Sequence, residues 1–538
     1  LRASRLGLRV AAVVGASALV LTGCASGGGD TGDSAGTAIV TTNGSEPQNP
    51  LIPTNTTETG GGKITDSIFA GLVSYDAEGA YELEVAKSIE PNETSDVWTI
   101  TLEDGWEFTN GEPVTADSFV EAWKYGAKFS NAQSASYFFD MIEGFSYDED
   151  TELTGLEVVS DTEFTVTLAT PEADFPLRLG YTAYMPLPEV AFEDMEAFGE
   201  NPVGNGPYML ADEEAWVHEE RIDLVTNPDY DGVRKPANDG LSIIFYATQD
   251  AAYADLLAGN LDVLDAIPDS AYESYEEDLG DRAVNQPAAI FQGFNMPYYL
   301  EHWSGKEGEL RRAAISMAID RAQITDVIFQ GTRTPATDFT SPVVDGWTNE
   351  LEGAEVLDFN PEEAKKLWAE ADAIAPYGDT EFNIAYNSDG GHQAWVDAVV
   401  NSIGNTLGIK AIGKPYPTFA AALDDRKNDA LTGGTRAGWQ ADYPSLYNFL
   451  APLYLAGAGS NYEDYASEEF DGLIKEGTLA PDVETATSLY QDAQEVLLKD
   501  LPAIPLWYSN VTGGSAETVD NVVFGWNSVP LYHQITKG

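Results

Sequence analysis

Stretches that alternate apolar and polar residues take turns along this chain with stretches that repeat every three or four. Trp98 to Leu102 sets Trp, Ile and Leu against Thr, the pattern of a half-buried strand, and Phe164 to Leu168 alternates in the same way. Between them Asp117 to Lys128 reads as a helix, with Phe119, Val120, Trp123 and Ala127 along one side. This mixture predicts an α/β unit over roughly residues 69 to 195. Ala38 to Thr42 is strand-like and is followed by the turn residues of Gly44 to Pro53, so ordered structure is expected to begin near Ala38. Leu241 to Tyr246 predicts another strand and Tyr253 to Ala258 a short helix stopped by Gly259-Asn260, with extended structure resuming over Leu261 to Ile267.

Glu309 to Gln330 predicts one long amphipathic helix carrying Leu310, Ala314, Met317, Ile324 and Ile328 and closed by Gly331. The clearest helix start is Asn360-Pro361-Glu362-Glu363. Asn360 can cap, Pro361 fits the first helical position, and Glu363 can reach back to the N–H of the cap. Ala364, Leu367, Trp368 and Ala371 then form the buried stripe. Phe382 to Tyr386 reads as a strand and Trp395 to Leu407 as a helix ending at Gly408. Leu489, Ala493, Val496 and Leu497 mark a last long helix. Strands and helices keep alternating without an internal repeat, which argues for mixed α/β domains with covered sheets. A length of 538 residues, 43% of them hydrophobic, favours two or three such domains.

Charge narrows the partners. Lys and Arg number 27 against 89 Asp and Glu, a formal charge of −62. Such a surface repels nucleic-acid phosphates, so no nucleic-acid partner is expected. It is either a solvated acidic coat or a sign of basic substrates. Cys24 is the only cysteine, which excludes an internal disulfide, a thiolate metal cluster and a Cys–His catalytic pair. His218, His302, His392 and His533 are widely spaced and form no H-E-x-x-H motif. Nucleophile-elbow, phosphate-loop and EF-hand motifs are all missing. No cofactor, no metal and no enzyme activity are therefore expected.

The amino terminus reads as an address. Arg2, Arg5 and Arg9 precede Val10 to Leu21, an apolar run of 12 residues. That is shorter than the roughly 20 needed to span a bilayer as a helix. Leu21-Thr22-Gly23-Cys24 resembles the lipobox of bacterial lipoproteins, in which the Cys becomes the first residue and carries lipid. Residues 1–23 are thus expected to be a signal peptide. Residues 24–37, dominated by Gly, Ser, Ala, Thr and Asp, would be the lipidated Cys and a flexible tether.

One later segment has the chemistry of a recognition site. In Arg436-Ala437-Gly438-Trp439-Gln440-Ala441-Asp442-Tyr443-Pro444, opposite charges and aromatic residues crowd around small ones. Arg can fork onto a carboxylate, Asp can accept from an ammonium, and Trp and Tyr supply flat apolar walls. The competing interpretation is an internal Arg436–Asp442 pair beside a core Trp439.

From about Ala38 onward the chain resembles the family 5 solute-binding proteins of ABC importers, the periplasmic oligopeptide- and dipeptide-binding proteins. The resemblance rests on motifs in order. These are Asn43-Gly44-Ser45-Glu46; Trp98-Thr99-Ile100 with Trp106, Phe108, Gly111 and Val114-Thr115-Ala116-Asp117; Asn205-Gly206-Pro207-Tyr208; Asn227-Pro228-Asp229-Tyr230; Gly259-Asn260-Leu261-Asp262; and Gly293-Phe294-Asn295. Arg312-Ala313, Ala318-Ile319-Asp320-Arg321, Gly331, the capped helix at Asn360, and Pro502, Ile504, Pro505 and Leu506 complete the series.

The resemblance implies an α/β, periplasmic-binding-protein-like fold of type II, in its large three-domain (cluster C), pear-shaped form with two lobes that close over ligand. Domain I would comprise 38–68, 196–289 and 505–538, domain II 69–195 and domain III 290–504, with two cross-over strands as hinge. By the same resemblance Asp442 pairs with the α-ammonium of a short peptide, and Arg436 and His392 meet its carboxylate end. Backbone near Glu46 and near Trp439 to Ala441 adds strand-like bonds, and Tyr137, Asn295 and Tyr416 line the pocket. The sequence departs from the family at Pro47, which removes a backbone donor beside Glu46, and at Asn49-Pro50-Leu51, where relatives have Leu-Asp-Pro. The implied partners are short peptides and an ABC permease with its cytoplasmic ATPases. The implied state is a monomer, lipid-anchored outside the cell membrane. A non-peptide solute on the same fold (an oligosaccharide, a nickel complex or an opine) is the alternative.

Overall fold

The computed structural model describes residues 38–388, 392–417, 419–458 and 460–538. The expected leader, the tether and Cys24 lie outside the described residues. Among the described residues no helix is long and apolar enough to cross a membrane.

A 12-stranded sheet organises the chain. Its main path uses β1 (Ile39–Gly44), β2 (Tyr208–Leu210), β3 (Arg221–Thr226), β4 (Gly240–Phe245), β5 (Val263–Leu264), β6 (Ala283–Asn295), β7 (Phe382–Asn387), β8 (Ala411–Tyr416), β9 (Gly434–Gln440) and β10 (Ala503–Ser515). The spatial order is β8-β7-β9-β6-β10-β5-β1-β4-β3-β2. Two strands of 13 residues, β6 and β10, run antiparallel at its centre and link the β1 side to the β7 side. Their register slips between Pro287 and Phe291, where Pro287 faces Asn510 but Phe291 faces Tyr508. The extra residues of this bulge turn their bonds outward. Ala289 N donates to Trp526 O, Ala289 O accepts from Ala441 N, and Ala288 O accepts from Ser341 Oγ. A separate four-stranded antiparallel sheet joins Ala86–Pro91, Val97–Leu102, Glu163–Thr167 and Leu156–Ser160.

The principal helices are α1 (Thr59–Ile68), α2 (Ala116–Ala127), α3 (Gly305–Met317), α4 (Arg321–Val327), α5 (Pro361–Ile374), α6 (Gln393–Leu407), α7 (Leu446–Tyr454) and α8 (Val483–Asp500). One buried apolar cluster gathers β1, α1, α2 and the small sheet, with Val40, Phe69, Trp123 and Phe164 among its members. A second collects Phe294, Ile384, Val399, Leu497 and Trp507 around β6, β7 and β10. A smaller one, with Leu256 and Tyr275, lies under the helix Gln249–Ala258.

Three local expectations change. The single helix over Glu309 to Gln330 is two, broken at Ala318–Asp320. Asp320 caps the second through Gln323 N, and Ser402 Oγ of α6 donates to Ala318 O. The buried Arg321 guanidinium takes the carbonyls of Ser316, Leu357 and Pro505. Asn360 does cap α5 through Glu363 N. Its own N–H, however, donates to Met317 O, while Glu363 pairs with Lys366, so only half of the expected box forms. The extended run over Leu261 to Ile267 is a strand only at Val263–Leu264.

Candidate functional site

The site begins where β9 ends. In register with β6, Arg436 faces Phe294 and Gln440 faces Ile290, and Ala441 N then continues the pairing onto Ala289 O at 2.9 Å. Pro444 cannot donate to a sheet, and the chain turns away there. One buried amide fixes the turn. Asn448, in the first turn of α7, accepts at Oδ1 from Trp439 Nε1 (3.0 Å) and from Asp442 N (3.0 Å), and its Nδ2 donates to Asp442 Oδ2 (3.1 Å). Ser445 caps α7 through Tyr447 N. The Asp442 carboxylate is half-buried, and burial pushes its pKa above the ordinary range, opposed by the Asn448 bond and by the charge of Arg178.

Asp442 lies on the wall of a cavity of about 430 Å³, enclosed by α1 and the segment before it, by residues 74–76, 180–182 and 440–442, and by the turn 525–533. Aromatic surface comes from Tyr75, Tyr181 and Trp526, with Tyr75 and Trp526 edge to face at 5.4 Å. The Lys and Arg side chains on the wall are committed elsewhere. Lys63 Nζ donates to Asp265 and Asn43 O, and Arg234 donates to Glu84, Asp66 O and Phe69 O. Burial, then the Arg234 charge, pull the His533 imidazole down to about 4, so it is neutral at physiological pH. The carboxylates Glu58 and Asp76 accept from backbone N–H groups, of Gln48 and Gly61 and of Glu78 and Ala80. The wall is thus aromatic with an excess of negative charge. It suits the cationic end of a small solute.

Of the sequence-predicted residues, Asp442 and Ala441 stand on this wall. Tyr137 joins them electrically: burial first, and then the Asp442 charge, push its phenol upward. Its ring packs on Phe138 at 4.5 Å, which stacks on Tyr181 at 4.1 Å. Trp439 is held by Asn448 behind the wall. Arg436 lies farther back along β9, where its Nε donates to Asn387 Oδ1 at 3.0 Å. Arg436 and Asp442 therefore engage separate amides, Asn387 and Asn448. His392 precedes α6 and accepts from Trp395 Nε1 at 3.1 Å. Asn295 is buried and donates to Glu463, which also pairs with Arg426. The Tyr416 hydroxyl donates to Asp425 at 2.6 Å. Glu46 takes His218 Nδ1 at 2.8 Å and Glu219 N at 2.9 Å, and the histidine bond raises the His218 pKa. Sequence reasoning missed Glu58, Asp76, Tyr181 and Trp526. Each lies far from Asp442 along the chain, and none sits in a motif of its own.

Residues 80–461 match the family model of bacterial extracellular solute-binding proteins, family 5 (middle region). The chain belongs to this family. Among family 5 relatives, the periplasmic oligopeptide-binding protein OppA of Escherichia coli is 28% identical over 498 residues, 87% of each chain. The unliganded open form of the murein tripeptide-binding protein MppA superposes with a TM-score of 0.80 at 21% identity, covering 94% of this chain and 98% of that one. Haemophilus influenzae OppA in complex with the peptide RPPGFSPFR superposes at 0.68, with 22% identity and coverage of 93% and 99%. The fold is that of the family 5 periplasmic binding proteins.

Proposed function

We propose that this protein is the extracytoplasmic substrate-binding component of an ABC importer, capturing short peptides between two lobes and passing them to a membrane permease and its ATPases. The observation that carries the reading is Asp442. It is a carboxylate drawn partly out of water on an aromatic cavity wall and bonded to an amide rather than to a cation. A peptide's α-ammonium supplies the missing charge. Arg436, with His392 nearby in the family pattern, takes the carboxylate end. The backbone of Trp439 to Ala441, and that near Glu46, adds strand-like bonds independent of peptide sequence. Tyr137, Asn295 and Tyr416 border the bound chain when the lobes close. Binding involves no covalent step, cofactor or metal.

Domain I (38–68, 196–289 and 505–538) and domain II (69–195) form one lobe, domain III (290–504) the other, and β6 and β10 are the hinge. An open arrangement admits the peptide, and rotation about the hinge encloses it. Lipid on Cys24 holds the monomer beside its permease.

Isothermal titration with trialanine and N-acetyl-trialanine tests the ammonium role. The free peptide is expected to bind more tightly, and Asp442→Ala to remove about 2 kcal/mol or more of its affinity. Equal affinity for the two peptides in the parent protein would sink the assignment. Native mass spectrometry of protein from its own host is expected to reveal a ladder of peptide masses, whereas a single sugar, opine or nickel mass would favour the other solutes. A lipid mass on Cys24, absent from Cys24→Ala, tests the anchor.

A further inference from the structure

The turn that carries Asp442 is gripped from the far side by a segment with its own buried charges. Arg178 Nε donates to Glu172, and the two side chains are 12% and 6% exposed. The Arg178 guanidinium lies over the ring of Tyr443 at 4.7 Å and that of Tyr447 at 5.7 Å. Ser445 Oγ donates to Asp174 Oδ2 at 2.6 Å, with both residues buried. Tyr443, Ser445 and Tyr447 closely follow Asp442. Phe175 and Leu177, beside the gripping residues, belong to the cluster around the small sheet, whereas Leu446 and Phe449 belong to the cluster around β6 and β10. The contact therefore joins two separate cores at the turn that bears the carboxylate.

Stability alone is a poor explanation for this cluster. Glu172 pairs with the guanidinium while Asp174 only feels its charge, burial pushes the Glu172 carboxyl up to about 7 and that of Asp174 also upward, and both Asp174 Oδ1 and the hydroxyl of Tyr490, whose ring lies 5.7 Å from that of Tyr447, go without a hydrogen bond. Apolar side chains of similar size would cost less there. What the cluster does achieve is placement. Tyr181 follows Arg178 in the same segment and shares the cavity wall with Asp442. The charge of Asp442 acts on both the Tyr137 and the Tyr181 hydroxyls.

We propose that Arg178 is a positioning residue for ammonium capture: by gripping Tyr443 and Tyr447 across the two lobes it fixes Asp442 beside Tyr137 and Tyr181 as the lobes close. The inference rests on the peptide reading given above. The groups that face Arg178 are Glu172 and Asp174 on its own segment, Tyr443 and Tyr447 on the Asp442 turn and α7, Tyr184, Tyr75 on the cavity wall, and Asp442 itself. All of these are acids. Removing the guanidinium therefore also leaves Asp442 without a cation that favours its charged form.

Two variants test this. Arg178→Lys keeps the charge but loses the flat stacking surface. Glu172→Gln with Arg178→Met removes the ion pair without stranding the Glu172 carboxylate, and Asp174 keeps its bond from Ser445. Trialanine and N-acetyl-trialanine are titrated against each variant and the parent from pH 4 to pH 8. The double variant is expected to lose tenfold or more in affinity for trialanine and less than twofold for the acetylated peptide. The pH at which trialanine binding falls to half should move upward in the double variant and stay at the parent value in Arg178→Lys. Equal losses for both peptides, or an acid limb that does not move in the double variant, would overturn the proposal. A parent that does not distinguish the two peptides would instead overturn the ammonium reading, and this inference with it.

Discussion

At the scale of single residues, Asp442 and Asp338 show how burial sets the direction of a pH effect. In its proposed role Asp442 must be ionised to hold an ammonium, and burial raises its pKa above the ordinary 3.8. Affinity for a free amino terminus is therefore full well above that raised value and falls as pH drops through it. Asp442→Asn should cost about 2 kcal/mol or more at neutral pH and abolish this acid limb, read by titration calorimetry across pH. Asp338 works in the opposite sense on stability. It is fully buried, accepts from the Tyr508 hydroxyl at 2.6 Å and from Thr340 N at 2.9 Å, and burial raises its pKa to about 6. A carboxyl whose folded pKa exceeds its unfolded 3.8 favours the folded state in its protonated form. Its stabilising effect is full below 3.8 and is lost as pH rises through about 6. Asp338→Asn should flatten that part of the stability profile, measured as denaturant midpoints between pH 4 and 7.

At the scale of elements, local chemistry decided what could be foreseen. The Asn360-Pro361 start of α5 and the Gly408 stop of α6 were legible because a cap and a left-handed glycine act within a few residues. The break between α3 and α4 was not, because it depends on Arg321 reaching carbonyls at Leu357 and Pro505. The same limit applies to the site. Arg436 and Asp442 announce themselves by charge within one segment, whereas Tyr181 and Trp526 reach the same cavity wall only through the topology. The long central strands carry a further constraint. A Cβ on Gly293 of β6 would lie 2.5 Å from Ile504 O of β10, a backbone atom that cannot swing aside. Gly293→Ala should therefore destabilise the protein by about 1–3 kcal/mol in urea unfolding, the usual cost of overpacking. Weakened peptide binding should accompany it if the pairing of these strands guides closure.

At the scale of the whole molecule, the bulge in β6 would tie the ligand to the proposed hinge. Ala289 bonds at N to Trp526 O and at O to Ala441 N, so two residues of the cavity wall hang on the strand that slips register against β10. If β6 and β10 are the hinge, as proposed, rotation about them cannot leave the wall unchanged, and a ligand that bridges the lobes must bias that rotation. A receptor of this kind gains most stability from ligands that reach both lobes. Saturating trialanine at one hundred times Kd should add about 2.7 kcal/mol to the unfolding free energy and raise Tm. Small-angle X-ray scattering should record a smaller radius of gyration at the same time. N-acetyl-trialanine at equal concentration should do less of both, because on the proposed reading it engages Arg436 but not Asp442. A peptide that raises Tm without contracting the molecule would mean that binding occurs on one lobe alone, and that the slipped register at Pro287 is not a hinge.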